Sequence, residues 1–160
     1  MLRFLKTIRR KMLIWSTHSV ALPAIRRIID LPRFPFSWQQ LAAMPERSLG
    51  RELVNFLQAH GLKMLQWYET HDIKHLVLGY PPDEKGEVAL QFFMLGNRHY
   101  SPAVLLTVIT GALTMPEYYK AFYNAWKRGR NTPPIEHTDW NALITQPVTV
   151  LRKQLSIPEH

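Results

Sequence analysis

From residue 37 onward the apolar positions recur at helical spacing, and the alternation expected of strands is almost absent. With start and stop residues taken into account, the pattern predicts helices near 37–43, 48–60, 62–78, 84–97, 102–113, 116–129, 138–145 and 147–155. Gly61 reads as the stop behind His60, Pro116 suits a first helical turn, and Thr138 or Asp139 can cap the helix after it. Upstream, residues 2–18 and 20–29 also read as helical, broken near Pro23, and LPRFPF (31–36) forms an extended connector. The predicted fold is all-α: a basic amphipathic arm over 1–36 followed by a single-domain helical bundle over 37–160.

HYSPAVLLTVITGALTMP (99–116) carries no Asp, Glu, Lys or Arg, which invites comparison with a membrane span. Its three threonines, one glycine and two prolines argue otherwise, and the proline-free part is too short for a hydrocarbon layer of roughly 30 Å. The expectation is a buried helix, whose apolar surface could also line a lipid pocket or a subunit contact.

At 160 residues the chain suits one folded domain, and with 46% hydrophobic residues it has the composition of a globular one. It holds no cysteine, which excludes disulfides, thiolate catalysis and Cys-rich metal sites, so any metal must sit on nitrogen and oxygen. No secretory signal is apparent, and a cytosolic-side location is expected.

The net charge of +8 is uneven. Residues 1–36 contain eight Lys/Arg against Asp30, for +7, while the remainder contains twelve basic and eleven acidic groups, for +1. In the arm, Met1, Phe4, Leu5, Ile8, Met12 and Trp15 lie at helical intervals with Arg3, Lys6, Arg9 and Arg10 mainly between them. That pattern suits an interfacial membrane helix, in which four cations are worth about 4 kcal/mol on an anionic surface. It also suits an ordinary surface helix or a transit segment. Nucleic acid is not expected as a partner, because the body of the chain has no basic stripe interleaved with aromatics.

The chemistry concentrates in HDIKHLVLGYPPDEKGE (71–87). On a helix His71 and His75 are one turn apart and Asp72 lies three residues before His75, on a mostly apolar face with Met64, Tyr68 and Leu78. Pro81 and Pro82 end that helix, and Asp83 can cap the next. His75 precedes Gly79 by four residues and Glu87 follows Asp83 by four, so helices folded back on each other would bring His75 and Glu87 to one height. Two imidazoles and two carboxylates on facing helices make a recurrent metal site, and a divalent cation would neutralise both carboxylates. Mixed N/O ligation suits zinc, manganese or iron(II). A zinc protease is disfavoured because Asp72 stands where that motif needs glutamate, and a His-Asp phosphohydrolase has only the pair His137 and Asp139 to complete it.

The run His71-Asp72-x-x-His75, eleven residues, then Glu87, flanked by Gly79-Tyr80 and Gly86-Glu87-Val88-Ala89-Leu90, resembles the coenzyme Q biosynthesis family Coq-four. MPERSLGRELVNFL (44–57) is similar to that family's Leu-Pro-x-Gly-Thr-Leu-Gly segment, with Arg47 for the glycine and Ser48 for the threonine. WNALITQPVTVLRKQLSIP (140–158) is similar to its closing Pro-Leu-x-x-x-Arg-x-x-Leu-x-Ile pattern.

The resemblance implies an all-helical, membrane-associated protein of ubiquinone biosynthesis. It implies a divalent metal on His71, Asp72, His75 and Glu87, zinc first, with manganese, iron or magnesium as alternatives. The implied ligand is a prenylated aromatic acid precursor or another isoprenoid lipid. The implied activity is a metal-dependent oxidative decarboxylation that leaves hydroxyl in place of the ring carboxylate, the alternative being a non-catalytic lipid-binding scaffold. Implied partners are a membrane surface, other quinone-biosynthesis proteins and further copies of the chain. The implied location is cytoplasmic, peripheral to the inner membrane, or the matrix side of the mitochondrial inner membrane in a eukaryote.

Overall fold

Each early helix starts where the sequence supplies an oxygen to otherwise bare amides. Ser37 and Gln40 form a reciprocal capping box ahead of α1 (Trp38–Ala42), and the Ser48 hydroxyl accepts from the Arg51 amide at the head of α2 (Leu49–Ala59). Following α3 (Glu69–Leu78), Asp83 accepts from the Gly86 amide at 2.7 Å and opens α4 (Glu84–Gly96). Ser101 caps α5 (Pro102–Thr114), which has Pro102 in its first turn. A 3-10 turn (Pro116–Tyr118) leads into α6 (Tyr119–Arg130), and α7 (Val148–Gln154) closes the series. This computed structural model describes residues 33–158, so the helices expected over 2–18 and 20–29 lie outside the described residues. Among the described residues there is no strand, only an isolated bridge between Ser48 and Pro147.

The central element is α4, which packs against α3, α5 and α6 and buries Val88, Leu90, Phe93 and Met94. Its approach to α6 is close because glycines face backbone: a Cβ on Gly96 would fall on the Trp126 carbonyl, and one on Gly129 would fall on the Phe93 carbonyl. Phe92 stacks on Phe122 with ring centroids 5.0 Å apart. At the end of α4 the buried Asn97 reaches the carbonyls of Gly129, Thr132 and Pro133 and accepts from the Ile135 amide at 2.9 Å. One side chain thereby anchors the segment that follows α6.

Three expectations are corrected. The helix expected from residue 62 begins only at Glu69, because Gly61 (φ 64°) and Trp67 (φ 71°) take left-handed backbone that no helix continues through. Met64 therefore does not share the helical face of His71. Residues 138–145 form successive turns and not a helix. Asp139 Oδ1 accepts from the amides of Asn141 and Ala142, and the carbonyls of Ile144 and Gln146 accept from the Gly50 and Leu49 amides at the start of α2. The segment's polar backbone serves a neighbouring helix.

Helix α5, expected to be buried, covers only Val104 and Gly111 fully. Gly111 lets it sit on Val88, while Leu105, Leu106, Ile109 and Leu113 are 40–77% exposed.

Arg47 adopts φ 66° just before the Ser48 cap, and its side chain is exposed. The family pattern resembled by this segment has glycine at this position, and glycine carries no steric cost in that region. Arg47→Gly is expected to raise stability by about 1 kcal/mol, seen as a higher urea midpoint at unchanged slope. A lower midpoint would mean that the arginine side chain makes up more than the backbone loses.

Candidate metal centre

Helices α3 and α4 are linked by the turn Gly79–Asp83, in which Gly79 takes φ 74° and reverses the chain. The reversal brings Tyr80 back over the last turn of α3, where its carbonyl accepts the Nδ1 proton of His75 at 3.0 Å. His75 is fully buried, and this bond decides its tautomer. With the proton on Nδ1, the neutral ring presents the Nε2 lone pair inward.

That nitrogen is 3.1 Å from Glu87 Oε1 and 3.1 Å from His71 Nε2. His71 Nε2 in turn lies 3.2 Å from Glu87 Oε2. One ligand atom from each of His71, His75 and Glu87 thus falls within 4.8 Å of the others. His71 and Glu87 remain 24% and 31% exposed, so the cluster opens to the surface on one side.

Three electron-pair donors this close repel one another unless positive charge sits among them. Without a cation, a proton fills that role. Burial opposes charging His75, but the hydrogen bond and charge of Glu87 outweigh it and raise the imidazole above its ordinary range. Burial would likewise raise Glu87, yet hydrogen bonds and charge from His71 and His75 hold its carboxyl well below the usual carboxylate range. A divalent cation can replace the shared proton. The donor set, two imidazole nitrogens and a carboxylate, is chemically suited to zinc, manganese or iron.

The fourth expected ligand, Asp72, is buried beside the cluster but is not one of the three converging donors. Burial pushes its carboxyl up to about 6, partly offset by His71 and His75 and reinforced by Glu87 and Glu69. Tyr68 sets its ring edge-on to His71 at 5.6 Å, and its hydroxyl is pushed up to about 12 by burial and then by the charges of Glu87 and Asp72. Sequence reasoning missed Glu69, which is buried and raised by desolvation, and also the backbone carbonyl of Tyr80. The glycine stop at Gly79 was the available signal for the latter, since a left-handed cap folds the next residue back onto the helix.

Among the described residues, two further histidines are engaged elsewhere. His60 bonds the Phe56 carbonyl at 2.8 Å, and His99 pairs with Glu136 at 2.9 Å. Asp139, the phosphohydrolase candidate, is engaged in its own turn.

Residues 63–160 match the family model described as "Coenzyme Q (ubiquinone) biosynthesis protein Coq4". The chain is 29% identical over 178 aligned positions to ubiquinone biosynthesis protein COQ4 homolog 1, mitochondrial, of Culex quinquefasciatus, covering 90% of this chain and 65% of that protein. It is 26% identical to the mitochondrial COQ4 homolog of Rattus norvegicus, covering 76% of this chain and 56% of that one. The chain therefore spans 56–65% of the length of these curated relatives. A crystallised Nostoc punctiforme PCC 73102 protein, whose suggested role is ubiquinone biosynthesis, superposes with a TM-score of 0.67 at 24% identity, covering 97% of this chain and 82% of that one. At that identity the likeness establishes the fold.

Asp72 yields a pH-dependent expectation for cation-free protein. Its folded value lies above its ordinary 3.8, so its contribution is most favourable below about pH 3.8 and is lost as the pH rises through about 6. Ionisation then costs about 3 kcal/mol. Chelator-treated Asp72→Asn should withstand more urea than chelator-treated wild type at pH 7.5, with the gap closing towards pH 4. Equal midpoints at pH 7.5 would show that the carboxylate meets no desolvation cost.

Proposed function

The chain belongs to the Coq4 family of coenzyme Q (ubiquinone) biosynthesis proteins, and we propose that it serves ubiquinone formation by holding one divalent cation on His71, His75 and Glu87, with the Asp72 charge alongside. The substrate class is a prenylated aromatic acid, and the reaction is its two-electron oxidation by an external oxidant such as dioxygen, in which the ring carboxylate leaves as carbon dioxide and hydroxyl takes its place. The observation that carries this reading is the convergence of three donors with His75 already locked through Nδ1. Zinc is the first choice of metal, with manganese, iron or magnesium as alternatives.

A bound cation supplies charge and Lewis acidity for a substrate carboxylate. The protein's own groups supply the rest. His71 and Glu87 line the open side, where a head group can approach, and buried His75 fixes the inner donor. Asp72, whose carboxyl lies at about 6, can hold or release a proton beside the centre. The Tyr68 ring narrows the approach from the His71 side.

An apolar outer face suits the prenyl tail and a membrane surface. Leu105, Leu106, Ile109 and Leu113 face outward from α5, and the Tyr119 hydroxyl donates to the Ala112 carbonyl of the same helix. Exposed Tyr123, Lys120 and Lys127 continue along α6, a combination of aliphatic, aromatic and basic groups that favours lipid interfaces. Among the described residues no helix is long and apolar enough to cross a membrane. The proposed attachment is peripheral, on the cytoplasmic side of an inner membrane, or on the matrix side if the host is eukaryotic. The alternative is a non-catalytic scaffold that holds prenyl lipid for other quinone-biosynthesis proteins, and turnover separates the two.

Elemental analysis of purified protein should give near-stoichiometric zinc, manganese or iron, lost in Glu87→Ala. Cation affinity should fall as the pH drops from 8 to 5, because His75 in the cation-free protein keeps its proton above the ordinary histidine range and that proton competes for Nε2. Affinity that is flat across this range would rule out histidine ligation.

In cells lacking their own Coq4 protein, His71→Ala should fold and bind vesicles yet fail to restore ubiquinone, whereas wild type restores it. Full restoration by His71→Ala would exclude a cation-dependent role.

A further inference from the structure

We infer that Arg152, with Arg128 beside it, is a positioning residue of the metal centre: it holds the last turn of α3 in the form that makes His75 present Nε2 to a cation. This inference rests on the cation reading of His71, His75 and Glu87.

A helix ends with carbonyls that have no partner within the helix. In α3 the His75 carbonyl accepts from the amides of Gly79 and Tyr80, at 2.9 and 3.1 Å. Arginines reach the next three carbonyls. Arg152 Nη2 donates to Leu76 at 3.0 Å and its Nε to Val77 at 2.8 Å, while Arg128 Nη1 donates to Leu78 at 2.7 Å. Ile73, Val77 and Leu78 are fully buried around this end, so lost donors are not readily replaced by water.

The turn held in this way is the one that tunes His75. It leads through left-handed Gly79 to Tyr80, whose carbonyl takes the Nδ1 proton. Arg128 also lies over the Tyr80 ring, 5.4 Å from its centroid, and its Nε donates to the Pro158 carbonyl at 2.7 Å. Arg128 therefore contacts the Tyr80 ring as well as the carbonyl two residues before it, while Arg152 holds the two carbonyls ahead of that. The fork of Arg152 spans two successive carbonyls, which a lysine ammonium at the end of a flexible stem matches less well. With Arg152 removed, the turn loosens, the Tyr80 carbonyl leaves Nδ1, and His75 is free to change tautomer.

The test uses the full chain with Zn²⁺ alone as probe, titrated against a chromophoric chelator, for wild type, Arg152→Lys and Arg152→Gln. Arg51→Gln serves as the control, since it removes an arginine contact to the Ala42 carbonyl away from the end of α3. Histidine ¹⁵N spectra of cation-free protein, recorded at a pH high enough for the His75 ring to be neutral, report its tautomer independently. Expected are a Zn²⁺ affinity weakened about tenfold or more in Arg152→Gln, an intermediate value in Arg152→Lys, and less than twofold change in the control. The Nδ1–H signature of His75 should be lost in Arg152→Gln. Folded Arg152→Gln with wild-type affinity and an unchanged signature would overturn the inference and leave Arg152 a stabilising residue only; if Arg152→Gln does not fold, Arg152→Lys decides by the same two readings. If wild type binds no Zn²⁺, or Glu87→Ala binds equally well, the cation reading fails, and the tautomer signal alone then decides whether Arg152 positions His75.

Discussion

A buried helix end must satisfy its last carbonyls, and in this protein that requirement falls on α3. Two arginines from helices far along the chain reach those carbonyls, Arg128 from α6 and Arg152 from α7. The same contacts set how α6, α7 and the Gly79–Tyr80 turn sit around α3. The two guanidinium groups lie at the negative end of the helix, where cations are favoured. The C-terminal third of the chain is in this way tied to the helix that carries the histidines.

Charge around those histidines follows one rule. His71, His75 and Glu87 come together only if positive charge lies between them, as a proton in the cation-free protein or as a metal. Asp72 and Glu69 add buried carboxyls nearby, and both are raised chiefly by desolvation. A centre built this way gains from each added unit of positive charge. Free of any cation, it holds a proton in that place.

Packing on the other side of α4 uses the opposite device, the absence of side chains. Gly96 and Gly129 let α4 and α6 meet backbone to backbone, and Gly111 seats α5 on Val88. The close seats position α4, and with it Glu87, relative to α3. They also turn the aliphatic side chains of α5 outward, since a helix that is apolar all round and packed on one neighbour must expose its far side.

The sequence alone determined what depends on neighbours within a few residues. The caps at Ser37, Ser48, Asp83 and Ser101, the stops at Gly61 and Gly79, and the shared face of His71 and His75 all follow from local hydrogen bonding and the 3.6-residue turn. The glycine in the family pattern at position 47 belongs here too, because left-handed backbone is a local demand. Even the meeting of His75 with Glu87 was legible, through equal distances from a two-proline turn. Only tertiary structure decided that Asp72 stands beside the converging donors and not among them, that the carbonyls of Ile144 and Gln146 serve the start of α2, that α5 faces outward, and that Arg128 and Arg152 close α3. Those contacts join groups 50 to 76 residues apart, in the case of the arginines. No local period encodes such a pairing: which carbonyl an arginine reaches is set by where whole helices come to rest.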